Sequence, residues 1–269
     1  MTTHGDAAAA DSLTHTTAGR AKFLKDAASI FEIKYLMFLR GWYWYLIGTL
    51  VFPVGIFYFA TALAPDSPEA IRRAMVGTIV FGATMMTTNM LAQSVIQDRF
   101  QGRLKLIITM PVSKIAYASG VLVFSSILAA SAVAMLLVVA LVVRVDYQIT
   151  WAFLPIVVAS LLTMSGLTLF IVSYAPSAEV GGIMSNLIGI LLAFVSPVYF
   201  SMEQAPFLMR MFGWVSPLRY AADGLMKTFS GKTDIWVELT VLVLFAMATM
   251  ALGMWAPPMA RELSRLLVP

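Results

Sequence analysis

The side chains with the chemistry to bind a partner or a ligand lie between long apolar stretches, and the first group spans residues 98–114. It combines charged residues with a glycine and a leucine, in the order Asp98, Arg99, Gly102, Arg103, Leu104. A short amphipathic run follows and ends at Pro111. A helix of one or two turns is unstable alone, so its apolar side must dock on something. A cytoplasmic partner and the membrane headgroups are both open as the docking surface.

The second group spans residues 203–236, of which residues 204–229 are too apolar for a free loop. Pro206, Gly213 and Pro217 interrupt the segment, so it does not read as a spanning helix. We predict short re-entrant helices folded back into the outer leaflet. Irregular backbone survives there only where protein or a water-lined cavity satisfies its polar groups.

Nucleotide, metal and thiol chemistry find little support in the sequence. A P-loop needs a glycine and four further residues before Gly-Lys-Ser/Thr, but Met226 stands where that glycine would precede Gly231. The two histidines, His4 and His15, lie near the start of the chain, and there is no cysteine. We therefore predict a chain that is not catalytic by itself and that holds no metal or other cofactor.

The elements that must position these groups are apolar. All 18 Lys and Arg residues and all 14 Asp and Glu residues fall outside six uncharged stretches: 41–64, 74–97, 115–143, 147–178, 180–202 and 239–260. Each stretch exceeds the roughly 20 residues that a helix needs to cross a bilayer. Hydrophobic residues make up 60% of the chain and charged residues 12%, against about 25% charged in soluble domains. The sequence predicts an all-α membrane protein with six transmembrane helices.

The remaining length allows one membrane domain, over residues 21–269, after a disordered tail over 1–20. In residues 21–40 the charged side chains share one helical stripe and apolar side chains cover much of the remaining surface, as in an interfacial amphipathic helix. Lys and Arg concentrate before the first span and after the second, so the positive-inside rule places both termini in the cytoplasm. The net charge of +4 reflects this topology rather than nucleic-acid binding.

The chain after the tail resembles the permease subunits of type-2 ABC exporters. The resemblance rests on the order of four features: the interfacial helix, six spans, the charged loop with Gly102 that ends in Pro-Val, and Pro217-Leu-Arg-Tyr-Ala before the last span. Asp98, Arg99, Gly102 and Leu104 match the family's acidic-Arg-x-x-Gly-x-Leu pattern. Lys105 departs from it, because an acidic residue is often found there.

What the resemblance implies is a dimer, expected to be a homodimer, of permeases in a bacterial cytoplasmic membrane. Two copies of a separate cytosolic ABC ATPase would bind ATP and Mg and power export. The surfaces that meet the ATPase would include the following residues: Asp98, Arg99, Gly102, Arg103, Leu104, Lys22, Lys25.

The second and fifth spans of such permeases usually line the path, which favours Thr87, Asn89, Asn186 and Phe194 as path residues. Small and polar residues in these spans also suit plain helix packing. Methionines beside aromatic residues suit a hydrophobic or amphiphilic substrate, such as a drug-like molecule or a lipid. A polysaccharide or a lipid-linked glycan sliding over aromatic rings is the alternative. The predicted outer gate comprises Pro197, Tyr199, Pro217, Arg219, Asp223.

Ion-coupled carriers form the main competing class, and they normally place Asp, Glu, His or Lys inside the membrane. The six stretches contain none of these residues, and Glu179 lies between two of them. A passive channel stays open as a second competing function, although a channel has no evident use for the charged segment at 98–114.

Overall fold

The computed structural model describes residues 4–63, 67–100, 114–145, 147–199 and 205–254. These residues form nine helices: α1 (His4–Leu39), α2 (Trp42–Leu63), α3 (Pro68–Phe100), α4 (Lys114–Val142), α5 (Phe153–Tyr174), α6 (Ala178–Val195), α7 (Phe207–Gly213), α8 (Pro217–Phe229) and α9 (Trp236–Met254). Within these residues no strand is formed, and one isolated bridge joins Gln148 to Ser230. The all-α prediction is confirmed for this part of the chain.

Five helices in the described residues, α3, α4, α5, α6 and α9, are long and apolar enough to cross a membrane. They coincide with the second to sixth predicted spans, which confirms a multi-pass membrane protein. The first predicted span coincides with α2, a helix of 22 residues that contains Pro53. Its described apolar part, Pro53–Ala62, is shorter than a span. The sixth span therefore stays a prediction.

The boundaries differ from the predictions in two places. Residues 4–20 belong to α1, where the sequence predicted a disordered tail. The alanines at 7–10 have the highest helix propensity, and the segment contains no proline. The fourth span was predicted to begin at residue 147, but α5 begins at Phe153. The preceding loop is instead bound to the end of α8, where the Gln148 N–H donates to the Phe229 carbonyl at 3.0 Å.

The central element is α3, which contacts α2, α4, α5, α6 and α8. Ser67 caps its N-terminus by accepting the Ala70 N–H at 3.2 Å, and Pro68 takes the first helical position. The most apolar window of α3 is 83% buried, whereas those of α6 and α9 are 22% buried. The long helix is thus the axis of the bundle, and one side of α6 and of α9 faces outward.

Contacts between helix ends identify the two opposite ends of the bundle. At one end, which we call the inner end, Arg99 of α3 reaches the last turn of α5 and Asp98 reaches α1 and α4. At the other, which we call the outer end, Arg73 of α3 pairs with Asp223 of α8. The names follow the predicted topology. Consecutive spans from α3 to α6 therefore run in alternating directions, as the predicted topology requires.

Candidate functional site

A cavity of about 710 Å³ lies between α1, α2, α3, α4 and α6. This volume falls within the range of pockets that bind drug-sized molecules, about 300–1,000 Å³. Its lining is mostly apolar or uncharged: Lys34, Met37, Phe38, Gly41, Tyr45, Pro53, Gly82, Met85, Met86, Asn89, Met90, Gln93, Ser94, Gln97, Phe124, Asn186 and Ile190.

One side of the cavity carries a row of amide groups. Asn89, Gln93 and Gln97 follow one another every four residues along α3, and Asn186 faces the cavity from α6. Residues four apart lie on the same face of a helix, so the row continues over two turns. The Asn89 and Asn186 amide nitrogens each donate at 3.0 Å to the carbonyl four residues earlier. An amide also carries an oxygen acceptor and a second hydrogen with which it can bind a ligand.

The apolar part of the lining consists of methionines and aromatic rings. Met85, Met86 and Met90 come from α3, and Met37 comes from α1. The Phe38 ring meets the Phe124 ring edge to face, with centroids 6.3 Å apart. Unbranched methionine side chains adapt to ligands of different shape. Together with the amide row, this lining suits an amphiphilic molecule.

A buried ion pair lies at the inner end of the cavity. The Lys34 ammonium donates to the Asp98 carboxylate, and the Tyr117 hydroxyl donates to the same oxygen at 2.6 Å. Lys34 is 6% exposed and Asp98 2% exposed. Nearby, α1 approaches α4 so closely that a Cβ on Gly120 would lie 2.8 Å from the Ala27 carbonyl oxygen. The ion pair and this close contact fix α1 against α3 and α4.

Arg99, the residue directly after Asp98, joins α3 to the C-terminal end of α5. Its guanidinium donates to the Val172 carbonyl at 3.1 Å and to the Ala175 carbonyl at 3.0 Å. These carbonyls lie at the C-terminal end of α5, where a cation also interacts favourably with the helix dipole. The end of α3 is therefore connected to α1 and α4 through Asp98, and to the α5–α6 junction through Arg99.

A family model described as ABC-2 type transporter matches residues 28–230. The chain belongs to this family. No curated protein matches the chain. The matched region covers the cavity, the inner end of α3 and helix α8. The permease is thus the membrane component of an ABC transporter, and such permeases normally work with an ABC ATPase.

Two of the four predicted path residues of the permease line the cavity, namely Asn89 and Asn186. Thr87 is fully buried and is not among the cavity residues. Phe194 is 59% exposed, and its ring packs edge to face on Phe81. The structure therefore does not bring these two residues to the cavity. Thr87 and Asn89 are two residues apart, which rotates their side chains by about 200° around the helix.

The predicted ATPase-coupling residues differ in their surroundings. Gly102, Arg103 and Leu104 lie outside the described residues. Lys22 and Lys25 are exposed on α1, where a partner can reach them. Asp98 is buried and Arg99 holds the end of α5. The role of all these residues in coupling to an ATPase stays a prediction.

The predicted outer-gate residues collect at the outer end of the permease. Asp223 accepts from Arg219 at 3.2 Å and lies 3.8 Å from Arg73. Pro217 is the first residue of α8. The Tyr199 ring covers Gly77 of α3, where an added Cβ would lie 2.6 Å from the ring. The remaining member, Pro197, is buried in the turn after α6. The structure groups all five, and their action as a gate stays a prediction.

Sequence reasoning missed Gln93 and Gln97, although their spacing from Asn89 is a helical repeat that signals a polar face. It also missed that Lys34 and Tyr117 both donate hydrogen bonds to Asp98. No sequence signal identified these, because Lys34 and Asp98 are 64 residues apart.

Proposed function

We propose that the permease is the transmembrane subunit of an ATP-driven exporter that moves a hydrophobic or amphiphilic molecule out across the cytoplasmic membrane of a bacterium. The observation that carries this proposal is the cavity, because amide groups and methionines meet there within the membrane-spanning helices. An amphiphile needs both kinds of surface, and a buried polar ligand group must find hydrogen-bond partners.

The energy source in this proposal is a cytosolic ABC ATPase, present in two copies, that binds ATP and Mg. A second copy of the permease completes the assembly as a homodimer. The segment at 98–114 and the exposed Lys22 and Lys25 form the surface that meets the ATPase, and both termini lie in the cytoplasm. The permease contributes the path and no catalytic group.

The contacts of α3 supply a route for coupling. A push on the segment after α3 moves Asp98 and Arg99, which adjoin it in the chain. Asp98 carries α1 with it through Lys34, while Arg99 carries the junction of α5 and α6. Since α6 also supplies a cavity wall, a shift of α6 relative to α1, α3 and α4, which are fixed to one another, changes the width of the cavity. This is a movement of packed helices, the shear type of transition.

The first test identifies the partner. Tagged permease is purified gently from its native membranes, and proteins present in near-stoichiometric amounts are identified by mass spectrometry. A soluble ABC ATPase is expected. A stable complex that lacks an ATPase even after crosslinking would contradict the proposal and favour a channel or an ion-coupled carrier.

The second test examines the path. ATP-dependent uptake of a fluorescent amphiphile into inverted membrane vesicles is compared among the wild type, Asn186→Trp and Val138→Trp. The first substitution fills the cavity, whereas Val138 is exposed on α4 and is not among the cavity residues. Uptake should fall to background in Asn186→Trp alone. Equal uptake by all three proteins would show that the substrate does not pass through the cavity.

The third test examines coupling. Gly102→Pro and Leu104→Asp should leave membrane insertion and ATP hydrolysis intact but abolish uptake, because they distort the segment through which the ATPase acts. Gly102→Ala and Leu104→Met are the matched controls and should transport normally. Normal transport by both disruptive variants would refute the coupling role of the segment.

A further inference from the structure

We propose that the cavity selects amphiphiles that carry a negatively charged group, and that the Lys34 ammonium binds this group. The proposal rests on the proposed function, since it names the substrate class of the same cavity. Among the described residues that line the cavity, Lys34 is the one that carries a formal charge. The other polar lining groups are neutral amides and hydroxyls.

The orientation of the ion pair determines the sign of the charge that the cavity favours. Lys34 lines the cavity, whereas Asp98 does not and is 2% exposed. Lys34 is therefore the member of the pair that borders the cavity, whereas Asp98 lies among packed helices. Because electrostatic interactions strengthen in a low-dielectric interior, this arrangement attracts an anion and disfavours a cation there.

The ammonium also has the hydrogen-bonding capacity for a ligand. Lysine provides three N–H donors and no acceptor, and its contact with Asp98 uses one carboxylate oxygen. A sulfonate, carboxylate or phosphate oxygen can accept a second hydrogen from the same nitrogen. Tyr117 donates to the same oxygen of Asp98, so the carboxylate stays stabilised while the ammonium also binds the ligand. The ligand then joins the ion pair instead of breaking it.

The rest of the lining indicates the shape of such a ligand. Lys34 and Gln97 lie at the inner end of the cavity, and the lining continues along α3 to Met85. From Gln97 to Met85 the helix rises by about 18 Å. This distance accommodates an extended apolar chain beside the methionines, with its anionic group at Lys34. The expected substrate class is an amphiphilic acid with one apolar body.

The test uses three probes with the same twelve-carbon chain: dodecanesulfonate, dodecanamide and dodecylammonium. Saturable binding of each tritiated probe is measured on purified full-length permease in zwitterionic nanodiscs. The wild type should bind the sulfonate about tenfold to hundredfold more tightly than the amide, as expected for hydrogen bonds to a charged group. The ammonium probe should bind most weakly. Equal affinities, or tighter binding of the ammonium probe, would overturn the proposal without any variant.

Variants then assign the preference to Lys34. Replacing Lys34 alone would leave Asp98 buried and unpaired, so the informative variant is Lys34→Gln combined with Asp98→Asn, which removes both charges and keeps two amides that can pair. This double variant should lose the preference for the sulfonate and keep its affinity for the amide. Lys34→Arg keeps the charge and should keep the preference. A preference that persists in the double variant would contradict the role of Lys34.

The cavity-filling variant Asn186→Trp separates this proposal from the proposed function. If it weakens binding of all three probes while charge makes no difference, the substrate class is wrong and the path is right. If it weakens none of them, both proposals fall.

A final arm distinguishes the source of the anion. Competition by phosphatidylglycerol added to the nanodiscs supports a lipid headgroup, and an unchanged sulfonate affinity supports a free amphiphilic acid.

Discussion

The two ends of α3 carry ion pairs in opposite settings. At the inner end, Asp98 and Lys34 are buried, and Tyr117 completes the set of partners. At the outer end, Asp223 lies between Arg73 and Arg219, and the side chains of Arg73 and Asp223 are 19% and 30% exposed. Water replaces the partner of a partly exposed charge more readily than the partner of a buried one.

This difference separates a fixed end from an adjustable end. Breaking a buried pair leaves an uncompensated charge, so the inner end holds α1, α3 and α4 in one arrangement. The outer pairs can exchange partners at little cost. This arrangement suits a mechanism in which the helices are displaced together at the rigid inner end and the ion pairs rearrange at the outer end.

The largest effect is expected for Asp98→Asn, which leaves the Lys34 ammonium buried without a counter-charge. The free energy of unfolding should fall by about 3–5 kcal/mol, as measured by denaturant titration of the purified permease. Adding Lys34→Gln should recover most of the loss, since the remaining groups are neutral. Wild-type stability in the single variant would show that the inner end is not fixed by this pair.

Arg99→Gln should have the next largest effect, because it removes the cation that binds two carbonyls at the end of α5. The expected loss is about 1.5–3 kcal/mol. Arg99→Lys keeps the charge at the helix terminus but not the planar guanidinium. Its stability should therefore lie between that of the wild type and that of Arg99→Gln. Identical stability of all three proteins in the same titration would mean that Arg99 does not connect α3 to α5.

Gly77→Ala tests the packing near the outer end. The added Cβ meets the Tyr199 ring, so we expect a loss of about 1–3 kcal/mol through overpacking. In the part of the chain that the structure describes, no atom lies within 4 Å of the position that a Cβ on Gly55 of α2 would take. Gly55→Ala should therefore leave stability unchanged or raise it by up to about 1 kcal/mol. Similar thermal unfolding of the two variants would show that Tyr199 gives way easily.

The smallest effect is expected for Asp223→Asn at the outer end. Its ion pairs are partly exposed, so the loss of stability should stay below about 1 kcal/mol and shrink further in high salt. Co-purification of the ATPase should be unaffected, because the site lies at the opposite end from the coupling segment. A loss as large as that of Asp98→Asn would remove the distinction between the two ends.

The sequence by itself determined the class and most of the elements of this permease. Uncharged stretches longer than the bilayer requires must be helices, because only helices and closed barrels satisfy their backbone groups in lipid. The same logic predicted short re-entrant helices over 203–236, since Pro206 and Pro217 interrupt an apolar segment; α7 and α8 lie in this segment, and their re-entrant placement stays a prediction. The order of motifs was enough to indicate the family that the match over residues 28–230 establishes.

Tertiary structure alone decided which side chains share a site. Hydropathy describes each helix separately and does not specify its rotation or its neighbours, so it gave Thr87 and Asn89 equal weight. Packing turned Asn89 into the cavity and buried Thr87. It also brought Lys34 to Asp98 across a separation of 64 residues. That contact depends on how α1 packs against α3 and α4, a relation that no local pattern in the chain encodes.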